Sequence, residues 1–124
     1  MRRAFLLDCL APGCLVLAGC GVQVSAPHWR TGGDARQGAV IVVRESCGAC
    51  HQIPNIPQAD GQVGPPLDHF AERTVIAGML PNTPANLERW IRSPQTVTPG
   101  NAMPDSKMSE AEARDVAAYL YTLR

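Results

Sequence analysis

The stretch HQIPNIPQADGQVGPPLD, residues 51–68, holds four prolines and two glycines. Proline lacks the amide N–H that a helix interior or a central strand needs, so this segment can be neither. A loop of that length inside a small domain is uncommon unless it serves a function or wraps a bulky object. The 124 residues suffice for one small domain. Its large aromatics outside the N-terminal leader are Trp29, Phe70, Trp90, Tyr119 and Tyr121. Such a chain makes a thin core unaided, and the loop implies that something other than protein fills the middle.

Immediately before the loop stands Cys47-Gly-Ala-Cys50-His51. Three reactive side chains within five positions suit a metal, a disulfide exchange or a haem. A dithiol of the thioredoxin kind expects a βαβ setting, and no strand pattern occurs here. A structural zinc site needs four ligands, yet Cys9 and Cys14 fall in the leader and no second cysteine pair completes it. Cys-x-x-Cys-His is the attachment signature of c-type haem. Two thiols add across the two vinyl groups on one porphyrin edge, and the adjacent histidine reaches the iron.

The N-terminus, MRRAFLLDCLAPGCLVLAGC, has two arginines, an apolar stretch and then small residues. That is the layout of a secretory signal peptide. Asp8 and Pro12 interrupt the apolar run, which falls short of the roughly 20 residues a membrane span requires. Leu17-Ala18-Gly19-Cys20 resembles the bacterial lipobox, which implies lipidation of Cys20 after removal of residues 1–19. Residues 20–32 then form a lipidated N-terminus and tether, and 33–124 the folded domain. The expected location is extracytoplasmic, on the periplasmic side, anchored to a membrane by Cys20.

Within the domain the periodicity predicts an all-α, loop-rich fold with three main helices. The first starts at Asp34 as N-cap and stops near Cys47. Short helices are expected around Asp68–Glu72 and Val75–Met79. The next main helix has Thr83 as N-cap, Pro84 in its first turn, and Leu87, Trp90 and Ile91 on one face. Pro94 ends it, and an irregular segment follows. Ser109 and Glu112 form a capping box opening the last helix, whose apolar stripe is Val116, Ala117, Leu120 and Leu123.

Four motifs in this order resemble a class I cytochrome c over nearly all of the mature chain. CGACH matches the attachment site. GPPL (64–67) resembles the family's Gly-Pro-x-Leu, which implies that the Pro65 carbonyl accepts the N–H of His51. WIRSPQTVTPGNAMP resembles the segment supplying the second axial ligand, which implies Met103 on the iron and Trp90 in the pocket wall. DVAAYLYTL resembles the C-terminal helix that crosses the first, with Gly38 at the contact and Tyr119 and Leu120 opposite. The details look closest to bacterial single-haem cytochromes that accompany haem-copper oxidases. A lysine ring around the haem edge is missing, since Lys107 is the one lysine.

The resemblance implies one covalently attached haem c, axial ligands His51 and Met103, and a single-electron carrier that is not an enzyme in its own right. Expected partners are membrane redox complexes such as a terminal oxidase or a dehydrogenase. The alternative is a haem subunit of a dehydrogenase, or a haem-based ligand sensor with a displaceable Met103. Eleven basic and eleven acidic residues, less Arg2, Arg3 and Asp8, leave nine and ten in the mature chain. With that balance and no basic stripe, nucleic acid is not an expected partner. His28 and the arginines 73, 89 and 92 read as surface residues, one of the arginines being a candidate for a haem propionate. His69 reads as the cap of a short helix, and Met79 and Met108 as packing residues.

Overall fold

A computed structural model describes residues 30–124; the expected signal peptide, Cys20, His28 and most of the tether lie outside the described residues. In chain order the elements are α1 (Ala35–Arg44), a 3-10 turn (Cys47–Ala49), a second 3-10 turn (Phe70–Glu72), β1 (Val75–Ile76), β2 (Leu80–Pro81), α2 (Pro84–Arg92), α3 (Pro94–Val97) and α4 (Glu110–Leu120). No helix among the described residues is long and apolar enough to cross a membrane.

Helix α1 begins where the sequence places it. The Asp34 carboxylate accepts from the amides of Arg36 and Gln37, satisfying donors that a first turn leaves unpaired. Ile41 and Val42 are buried while Val40 and Val43 are exposed. Past its end Ser46 adopts a left-handed φ of 56°, which swings the chain directly into the turn at Cys47. Helix α4 opens on the full capping box, Ser109 Oγ accepting from Glu112 N and the Glu112 carboxylate accepting from Ser109 N. All four residues of its expected stripe are buried.

The pair α1 and α4 forms the main packing contact. A Cβ on Gly38 would stand 2.0 Å from the Asp115 carbonyl oxygen and 2.8 Å from Tyr119 Cβ, so the helices cross where a side chain has no room. Gly38 and Tyr119 meet as the sequence implies, and the nearest backbone is that of Asp115 rather than Leu120. Two polar ties fix the crossing. Asp34 N donates to Asp115 Oδ1 at 2.7 Å, and Arg44 pairs with Glu112 at 2.8 Å.

Helix α2 is capped by Thr83, has Pro84 in its first turn, and buries Leu87 and Ile91. Trp90 on the same face is half-buried against the core. The C-terminus is tied in through a buried amide. Tyr121 Oη donates to Asn82 Oδ1 at 2.8 Å, and Asn82 Nδ2 donates to the carbonyls of Arg73 and Phe70. Phe70 and Tyr121 stack edge to face with centroids 6.0 Å apart.

Four local expectations need correction. Residues 75–81 form an antiparallel hairpin, not a helix, with Ile76 paired to Leu80. Ala77 and Gly78 both have positive φ, 51° and 71°, and Met79 N donates to Ile76 O, the backbone of a hairpin turn whose twist matches paired strands. Met79 is consequently 54% exposed rather than buried packing, whereas Met108 is buried as expected. The expected 68–72 helix shrinks to one 3-10 turn, where His69 holds the N-cap position but makes no side-chain cap and lies 3.5 Å from Glu72. Pro94 not only ends α2 but starts α3 from its first position, where a missing N–H costs nothing.

Candidate haem site

The attachment residues share one turn. Cys47 begins the 3-10 turn and Cys50 caps it, and His51 N donates to Cys47 O at 3.0 Å. Both cysteines are free and half-buried. Burial, reinforced by the Glu45 carboxylate and Cys50, pushes the Cys47 thiol up to about 11. A disulfide-exchange dithiol works through a depressed, thiolate-forming cysteine, so this environment does not suit that chemistry. Among the described residues, no group of three or more His, Cys, Asp and Glu side chains converges to hold a metal ion by itself.

The proline-rich loop folds back onto this turn. Gln52 and Asp60 form an isolated antiparallel bridge. Gly61 N donates to Gly48 O, Gly64 N to Cys50 O and Leu67 N to Gln52 O, at 3.0, 2.8 and 2.8 Å. Tyr119 Oη reaches across from α4 to the Pro54 carbonyl. These bonds satisfy backbone groups that no helix or sheet accommodates.

The loop delivers Pro65 to the histidine. His51 Nδ1 lies 2.7 Å from the Pro65 carbonyl oxygen. A carbonyl only accepts, so Nδ1 carries the proton and donates, leaving the neutral ring's Nε2 with a free lone pair. That is the state of a metal-ligating imidazole held by an outer partner. The ring lies close against Gly64, where a Cβ would come within 2.2 Å of His51 Cε1. The chain thus fits an iron ligand at His51, with two thiols one turn away.

Arg73 is a residue that sequence reasoning left on the surface. It is half-buried; its guanidinium donates to the Pro66 and Asp68 carbonyls and sits 5.2 Å over the Phe70 ring. It braces the loop on the far side of Pro65. The spacing to Phe70 was a usable signal, while the carbonyls it meets were not.

Met103 sits on a separate irregular segment. Its N–H donates to Asn101 Oδ1 at 2.7 Å and its carbonyl accepts from Gln95 Nε2 at 2.7 Å. Neither Gln95 nor Asn101 is distinguishable in the sequence from ordinary loop amides. Trp90, Leu67, Leu80, Ile56, Ala59 and Cys47 are partly buried apolar groups packed against the core.

The fold and this attachment turn define a class I c-type cytochrome: the Cytochrome c family model matches residues 35–124, and the chain belongs to that family. Its cofactor is covalently bound haem c, for which Cys47, Cys50 and His51 provide the CxxCH motif. The four helices and the small hairpin are consistent with the cytochrome c fold. The chain is 42% identical over 91 residues to cytochrome c oxidase subunit 2 of Alkalihalophilus pseudofirmus, covering 73% of this chain and 26% of that protein. It is 32% identical over 94 residues to cytochrome c oxidase subunit 2 of Bacillus subtilis, with the same shares. The chain therefore spans about a quarter of the length of these curated relatives.

Proposed function

We propose that this protein is a membrane-anchored carrier that passes single electrons through one haem c with His51 and Met103 as axial ligands. The observation that carries this reading is the His51 to Pro65 hydrogen bond of 2.7 Å, which orients Nε2 for iron. Met103 on its braced loop supplies a thioether, and such a ligand raises the potential relative to a second histidine. With His51 and Met103 both holding the iron, no position would be left open for a substrate, and the chain would act as a carrier and not as an enzyme. Trp90 contributes to the pocket wall.

The partner is a terminal oxidase of the haem-copper kind. Support comes from the relatives, which are named as cytochrome c oxidase subunit 2. Cys20 carries the lipid, residues 1–19 are removed, and the domain works on the extracytoplasmic face. Confinement to the membrane surface raises its effective concentration near the oxidase, which compensates for weak long-range steering by a nearly neutral chain.

Carbon monoxide tests the carrier reading. The reduced protein is expected to bind it weakly, because Met103 competes for the iron. Tight binding by the unmutated reduced protein would instead establish a haem subunit or sensor with a displaceable methionine.

A further inference from the structure

Helix α3 is a single turn, yet one of its side chains holds much of the Met103 loop. Pro94 is fully buried and anchors the turn. Gln95 N donates to Asp105 Oδ1 at 3.0 Å. The Gln95 side-chain amide then spends its bonding on the loop alone. Nε2 donates to the carbonyls of Asn101 and Met103 at 2.9 and 2.7 Å, and Oε1 accepts from Gly100 N at 2.9 Å. Asn101 closes the arrangement from the other side. Its Oδ1 accepts from Met103 N, and its Nδ2 donates to Thr98 O at 2.6 Å and Pro94 O at 3.2 Å.

Both backbone polar groups of Met103 are thus bonded to side chains. In a helix or sheet the neighbouring backbone would hold such groups, but residues 98–109 belong to neither. A ligand presented from a loop is positioned only as well as its supporting contacts.

We propose that Gln95, assisted by Asn101, is the positioning residue that keeps Met103 on the iron and sets how readily another ligand displaces it. This rests on the reading of Met103 as the axial ligand. Gln95 touches neither haem nor substrate in this role; it acts through the Met103 backbone.

The test titrates the ferric, haem-loaded protein with imidazole while following the weak near-infrared sulfur-to-iron band. Gln95→Ala removes all three side-chain bonds. Gln95→Glu keeps the acceptor for Gly100, loses both donors and preserves size, so it remains informative if the alanine variant does not fold. In both, half-displacement should require at least about tenfold less imidazole, a lower bound for losing two or three hydrogen bonds that are each worth about fivefold. Thr96→Ala removes only a bond to Ser93 O on the same turn and should leave the midpoint within about twofold of the parent's, well below one hydrogen bond's worth.

Gln95 variants that retain the parent midpoint overturn the proposal, as does a Thr96→Ala shift equal to theirs. A parent protein lacking the band overturns the Met103 reading and this proposal together. A parent with the band and unmoved Gln95 variants overturns the proposal alone.

Discussion

Gly64→Ala is the sharpest perturbation of the seat of His51. An ideal Cβ at position 64 falls 2.2 Å from Cε1, 2.6 Å from Nδ1 and 2.8 Å from Nε2 of His51. Non-bonded carbons rest about 3.5–4.0 Å apart, so the ring has to retreat by more than about 1 Å. It cannot retreat and keep its 2.7 Å bond to Pro65, because the acceptor belongs to the very next residue. Overpacking costs about 1–3 kcal/mol, and the lost hydrogen bond about 1 kcal/mol more. For a domain near 100 residues each kcal/mol moves the midpoint by about 4–8 °C, so the variant should melt at least about 8 °C below the parent. The assay is thermal unfolding of the haem-loaded protein, followed by circular dichroism in the far ultraviolet and at the haem band. Pro65→Ala is the companion: it retains the carbonyl and should lose about 1 kcal/mol or less, chiefly through a looser unfolded chain. A Gly64→Ala protein that melts with the parent and shows its haem spectrum would refute the close seating of His51.

The Glu112 carboxyl is held below its ordinary value by the Ser109 amide and then by Arg44. The stability this adds is therefore present above the usual carboxylate range and lost as pH falls through the depressed value. Glu112→Gln should flatten the acid limb of stability in urea titrations, and an unchanged acid limb would contradict the assignment. Tyr121→Phe removes the 2.8 Å bond to buried Asn82 and should cost about 1–2 kcal/mol in guanidinium unfolding, with the haem spectrum intact; a neutral result would contradict the role of that amide. Cys20→Ser should release the domain from membranes on fractionation or leave it unprocessed, and an intact mass of the parent showing an unmodified N-terminus before position 20 would count against the lipid.

The helices were readable because their signals are local. Asp34, Thr83 and the Ser109–Glu112 pair announce their caps through side chains that reach only two or three residues. Gly38 was legible through resemblance, and the 2.0 Å approach of Asp115 supplies its physical reason. The 75–81 hairpin was not legible. Its two strands are two residues each, too short for alternation to register, and its turn depends on Ala77 taking a positive φ that alanine seldom adopts. At the site, CGACH and GPPL were explicit in the chain. The braces were not, because Gln95, Asn101 and Arg73 act on backbone carbonyls, which any residue presents and no sequence pattern marks.

The near-infrared spectrum of the ferric protein, compared between parent, Met103→Ala and Met108→Ala, tests the His51 and Met103 ligation most directly. Met108 is buried against the core at 6% exposure, whereas Met103 stands on the loop held by Gln95 and Asn101. The sulfur-to-iron band should be present in the parent, absent from Met103→Ala and retained in Met108→Ala. A band that survives Met103→Ala would contradict the account.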